Sequence, residues 1–186
     1  MVLANGSMSS DIATEGQIRK ELIENDLVDC MVALPSQLFY NTQIPACLWF
    51  MARNKTNRKF RNRSNEILFI DCRAMGSMIS RKQRELTDKD ILKISDTYHN
   101  WRSKEYQDTY KDIPGFCQAA NIQQVRKNNY ILTPGRYIDF AAEVEDGIAF
   151  EDKMQKLAAT LKEQMQKATA LDETIKANLK KIGYEL

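Results

Sequence analysis

The stretch Leu34-Pro35-Ser36-Gln37-Leu38-Phe39-Tyr40-Asn41-Thr42-Gln43-Ile44-Pro45-Ala46-Cys47-Leu48-Trp49-Phe50 decides how this chain is read. An apolar run from Leu27 stops at Leu34 and Pro35, and a second run, Ala46 to Ala52, opens after Pro45. Short continuous apolar runs bounded by proline suit strands covered on both faces. The aromatic pair Phe39-Tyr40 falls between them, on a loop. The local expectation is strand, exposed aromatic loop, strand.

Working outward, Val2-Leu3-Ala4 has the character of the end of a buried strand, closed by the Asn5-Gly6 turn signal. Thr14 and Gln17 stand at capping-box spacing, so a helix is expected from Thr14, with Ile18, Leu22 and Ile23 as its buried face. Glu66 to Cys72 forms a third strand after an intervening basic loop. A further helix is expected from Thr87, with Asp90 near its positive end, Leu86 and Ile91 as a hydrophobic staple, and Ile91, Ile94, Tyr98 and Trp101 on one side. Residues 108–140 are less regular, with Pro114-Gly115 and Pro134-Gly135 as turn signals. From about Glu143 to Ile182 runs the longest helical pattern. Phe150, Met154, Leu157, Leu161, Met165, Ala168, Leu171, Ile175, Leu179 and Ile182 recur at three- or four-residue intervals, and neither glycine nor proline interrupts them. Such a stripe needs a partner, in cis on this chain's own core or in trans.

The bulk numbers narrow the classes. With 186 residues the chain holds one ordinary domain, or a small domain plus an extension, and 43% hydrophobic residues suffice for a core. A net charge of +2 is too small for a general nucleic-acid binder. Basic charge is local: Arg53, Lys55, Arg58, Lys59, Arg61 and Arg63 follow one another without an acid, and Arg81-Lys82-Gln83-Arg84 adds a second cluster. Such clusters bind phosphate or merely solvate loops, and both readings stand. The four cysteines, Cys30, Cys47, Cys72 and Cys117, lack the paired spacing of a zinc site. The start has no secretory pattern, and no apolar run approaches membrane-spanning length. A reduced, cytoplasmic, soluble protein without membrane partners is expected. His99, the one histidine, has no acid–nucleophile set around it and is assigned to the surface or to packing.

In order, Val2 to Ser7, Glu15 to Ile23, Asp26 to Leu34, Leu-Pro-x-x-Leu-Phe-Tyr-x-Thr-x-Ile-Pro (Leu34 to Pro45), Ile70-Asp71-Cys72-Arg73, Leu86-Thr87-x-x-Asp90-Ile91 and Leu132-Thr133-Pro134-Gly135-Arg136-Tyr137-Ile138 resemble the modification subunit of type I restriction–modification systems. The resemblance covers nearly the whole chain. It implies an α/β fold: the C-terminal strands of a Rossmann-like methyltransferase sheet, then a mainly helical region and a long C-terminal helix. On this reading residues 1–80 belong to the methyltransferase α/β domain, 81–140 form a mixed, mainly helical region, and 141–186 form an amphipathic helix for subunit docking through Leu157, Leu161, Met165, Leu171 and Ile175.

The family transfers a methyl group from S-adenosylmethionine to the exocyclic amine of adenine in duplex DNA, and the target base must leave the stack. The resemblance implies that Phe39, with Tyr40 beside it, walls the extruded base. Without it, the pair would read as a hydrophobic corner packing the hairpin. It also implies a DNA-specificity subunit and a restriction subunit as partners, with self-association through the C-terminal helix as a further option. The family's glycine-rich cofactor turn and Asn-Pro-Pro-Phe/Tyr motif are not among these residues: no glycines have Gly-x-Gly spacing, and Pro35, Pro45, Pro114 and Pro134 never adjoin. The chain alone is therefore expected to bind no cofactor and transfer no methyl group. The alternative is a non-catalytic protein-interaction or DNA-binding module left by gene truncation.

Overall fold

The computed structural model describes residues 1–140 and 150–184. The chain divides into two compact units, Met1–Ala142 and Glu143–Leu186. Residues on both sides of position 80 share the first unit.

The first unit is built on a mixed sheet ordered β1-β3-β2-β4-β7. Its strands are β1 (Val2–Ala4), β2 (Val28–Ala33), β3 (Ala46–Met51), β4 (Glu66–Asp71) and β7 (Cys117–Asn121). β2 and β4 are parallel neighbours, whereas β3 runs antiparallel to both β1 and β2, and β7 antiparallel to β4. Every residue of β2 is buried, because the sheet is covered on both faces. Met31, Ala33, Ile67 and Phe69 point to one face with Ile23, Val125 and Leu132, while Cys30, Val32, Leu68 and Ile70 point to the other with Trp101, Tyr110 and Phe116. Each such large side chain, fully buried, contributes about 1.5–3 kcal/mol.

On the first face lie α1 (Glu15–Glu24) and α4 (Ile122–Lys127), tied by Arg126 to Glu24 at 2.6 Å. That hydrogen bond, joined by one from Tyr130, holds the Glu24 carboxyl down to about 2. On the second lie α2 (Asp88–Arg102) and α3 (Tyr106–Thr109). A two-stranded hairpin, β5 (Ser77–Met78) and β6 (Arg84–Glu85), stands apart from the sheet. The second unit's one described element is α5 (Phe150–Lys181), 32 residues, about 48 Å long at 1.5 Å per residue. The part of the expected helical section from 141 to 149 lies outside the described residues.

Several expectations need correction. β1 forms, but its residues are exposed, since it is the outermost strand of the described sheet. Thr14 precedes α1 without a side-chain capping bond. On α1, Ile18 is exposed and Arg19 is buried instead. Arg19 donates to the carbonyls of Tyr130 (2.8 Å) and Ser10 (2.6 Å) and pairs with Asp11, so its desolvation is offset by directed bonds. β7 and α4 lie within the stretch expected to be irregular. Thr87 is the N-cap of α2 as expected, and with Asp90 it closes a capping box that was not expected there: Asp90 N–H donates to Thr87 Oγ1 at 3.2 Å and Thr87 N–H to Asp90 Oδ2 at 2.9 Å.

Candidate nucleic-acid interface

Strand direction sorts every loop of the first unit to one of two edges. β1, β2 and β4 all end at one edge, where the segments after Ala4, Ala33 and Asp71 emerge. Open α/β sheets bind ligands beyond the carboxyl ends of their strands. The loop carrying Phe39 and Tyr40 stands on this edge, anchored by its own apolar residues: Pro35 is buried and Leu38 packs on the second-face core. Gln37 between them takes φ 67°, and its carbonyl accepts from the backbone N–H of Arg84 at 2.9 Å, so the β5–β6 hairpin braces the loop. Phe39 bridges to Thr42, whose Oγ1 accepts from Ile44 N–H at 3.1 Å.

The aromatic pair divides. Tyr40, 89% exposed, is no packing corner. Phe39, 42% exposed, lines a cleft of about 330 Å³ with Leu3, Ala4, Thr42, Ile44 and Pro45. Among the described residues no ionisable group lines that cleft. At the same edge Asp71 holds Arg73 in a 2.6 Å pair, close to Gly135.

The basic run divides as well. The loop from Arg53 to Arg63 joins the end of β3 to the start of β4, so it occupies the opposite edge. Six-residue strands put the two edges about 20 Å apart. Lys55 is buried and pairs with Asp26 at 2.7 Å. Arg63 is buried, donating to Asp29 at 3.1 Å, and Asp29 also accepts from Tyr98 Oη at 2.7 Å. Arg61 pairs with Glu66 at 2.7 Å and covers the rings of Trp101 and Tyr106. These three are withdrawn from the expected phosphate contacts, because internal carboxylates and rings already hold them. Arg53, Arg58 and Lys59 are exposed, but on the edge away from Phe39.

The remaining reactive side chains are quiet. All four cysteines are buried as free thiols, and burial pushes Cys72 up to about 12. His99 is exposed beside Tyr98, at 5.9 Å between ring centres. Among the described residues no cluster could hold a metal ion, and no helix is long and apolar enough to cross a membrane. On α5, Leu157, Leu161, Met165, Leu171 and Ile175 are 46–64% exposed.

Comparison with known proteins assigns the sheet and its loops to a family. The sequence profile of the N-6 DNA Methylase family matches residues 1–146, and the chain belongs to this family. It is 50% identical over 185 residues to the type I restriction enzyme HindI methylase subunit of Haemophilus influenzae, covering 100% of this chain and 40% of the relative. Against the MjaIX methylase subunit of Methanocaldococcus jannaschii it is 39% identical, over 98% of this chain and 32% of the relative. The chain thus spans well under half the length of these relatives. Among solved structures it resembles a type I restriction–modification methyltransferase subunit from Streptococcus thermophilus, with TM-score 0.61 and 30% identity, over 75% of this chain and 26% of that one. A chain from a type I restriction–modification assembly shares the fold at TM-score 0.54 and 15% identity, over 97% of this chain and 35% of that one.

Proposed function

We propose that this chain is the C-terminal part of an adenine-specific DNA methyltransferase subunit of a type I restriction–modification system. In the complete enzyme it supplies the wall against which the extruded adenine stacks and a helix that docks the DNA-specificity subunit, with the restriction subunit as a further partner of the assembly. The carrying observation is the placement of Phe39 and Tyr40, projecting from a braced loop on the carboxyl edge of the sheet in a chain of the N-6 DNA methylase family. Every base has a π-face, so a partly exposed ring beside an apolar cleft suits an unpaired base.

S-adenosylmethionine would supply the methyl group in the complete enzyme. The cleft beside Phe39 does not fit it: the cofactor's amino-acid end is charged, and among the described residues the lining carries no ionisable partner. Nor do these residues contain the asparagine–proline–proline motif that would hold the target amine. The chain's own contribution is therefore to bind and orient the base, not to perform the transfer.

The test is Phe39→Ala in the complete methyltransferase with its specificity subunit and a duplex carrying a fluorescent adenine analogue at the target. Loss of stacking should weaken capture of the extruded base by about 1–3 kcal/mol. Unchanged turnover together with unchanged target binding would remove Phe39 from the site.

A further inference from the structure

The hairpin β5–β6 is a structural feature that the base wall does not by itself explain. It rises from the carboxyl edge directly after β4, and Arg84 N–H bonds to Gln37, two residues before Phe39. The four residues of its basic cluster have different fates. Arg84 turns inward, its guanidinium donating to the carbonyls of Met75 (3.0 Å) and Gly76 (3.2 Å). Gln83 closes the tip, its carbonyl accepting from Ile79 N–H at 3.0 Å, and Ser80 Oγ accepts from Lys82 and Gln83 N–H. Arg81 and Lys82 are left exposed at the tip, and among the described residues neither forms an ion pair. Met78 and Ile79 stand exposed beside them, at 44% and 56%.

We infer that this hairpin grips the sugar–phosphate backbone of the DNA next to the extruded base, with Arg81 and Lys82 as the phosphate contacts. The inference rests on the methyltransferase reading above. Three features carry it. The hairpin shares an edge, and through Arg84 N–H a hydrogen bond, with the loop of Phe39, so a strand whose base stacks there passes the hairpin. Its two cations sit on a hydrogen-bonded turn and so contact phosphate with little further ordering. Apolar side chains beside the cations match a sugar–phosphate chain better than a free phosphate ion. In sequence the hairpin is flanked by the acids Asp71, Glu85, Asp88 and Asp90, of which Asp71 is paired with Arg73 and Asp90 is held by Thr87. The larger basic run, Arg53 to Arg63, lies about 20 Å away on the other edge, and three of its six cations are held by internal partners. The smaller cluster is thus the one placed to meet the DNA.

The experiment uses the complete methyltransferase with its specificity subunit on a duplex carrying its target. Binding is measured across a salt series for the wild type, for Arg81→Ala/Lys82→Ala, and for Arg58→Ala/Lys59→Ala as an opposite-edge control. Each lost phosphate contact lowers the slope of log K against log salt by about 0.9, so the hairpin variant should fall by about 2 and the control should not change. Arg81→Lys/Lys82→Arg, which keeps both charges, should restore the slope. A hairpin variant with the wild-type slope, in an enzyme that still transfers methyl groups, overturns the inference and leaves the methyltransferase reading intact. A wild-type complex that transfers no methyl group to its target DNA overturns that reading and this inference with it.

Discussion

At the scale of single residues, charge in this chain works mostly inward. Asp29 lies in the middle of the sheet at 1% exposure, held by Arg63 and Tyr98, and Tyr98 is in turn pushed up to about 12 by burial and by that carboxylate. Removing one partner of a buried pair leaves an uncompensated charge, which costs about 3–5 kcal/mol. Asp29→Asn should therefore lower the unfolding free energy by about that amount in a urea titration. Replacing both partners, Asp29→Leu with Arg63→Met, should recover much of the loss, since an apolar pair needs no counter-charge. A single variant within about 1 kcal/mol of wild type would mean that the pair stays solvated. None of this was legible in the sequence. Lys55 and Arg63 look like Arg58 and Lys59 in a basic run, and their carboxylates, Asp26 and Asp29, come from a different strand region altogether. Composition can count such charges but cannot say which of them face water.

At the scale of elements, legibility followed apolar continuity. β2, β3 and β4 were evident because each lies in a nearly continuous apolar run, and α2 because cap, staple and stripe agreed. β7 escaped because Gln118 and Asn121 break its apolar run, although Asn121 and Gln124 do form a capping box that marks the start of α4. The exposure of β1 could not be read, because burial of a strand depends on what lies beside it. The hairpin was visible only as a charge cluster. Counting strands would have placed it, since successive loops of a sheet alternate between edges. Its base depends on Gly76, which takes φ +78°, and a Cβ there would lie 2.6 Å from the carbonyl oxygen of Glu85. Gly76→Ala thus combines a left-handed backbone, worth about 1–2 kcal/mol for an L-residue, with a backbone clash. The hairpin should loosen, and trypsin should cut after Arg81 and Lys82 faster than in wild type while the melting of the sheet shifts little. Equal cleavage rates would show that the turn tolerates the side chain.

At the scale of the whole molecule, the two units answer different needs. The first buries its own core on both faces of a sheet, whereas the second offers one long described helix whose apolar residues have no other described element in their unit to meet. The pattern on α5 is regular enough to constrain a partner. Met154, Leu161, Ala168, Ile175 and Ile182 recur every seven residues, as do Phe150, Leu157, Gln164, Leu171 and Asn178. That is the spacing of a helix packed lengthwise on another helix, and polar Gln164 and Asn178 within the seam would favour one register at some expense of stability. The sequence made the stripe plain but not its occupant, because a periodic face specifies a helical neighbour and not whose helix it is. If the neighbour is the specificity subunit, Leu161→Glu/Leu171→Glu should abolish co-elution of the chain with that subunit, because each carboxylate would be buried without a counter-charge at the centre of the seam. If the neighbour is a second copy of the chain, the same variant should instead shift a dimer to a monomer in sedimentation while leaving subunit capture intact. A variant that keeps both its oligomeric state and its capture of the subunit would remove Leu161 and Leu171 from any interface and leave α5 without a docking role.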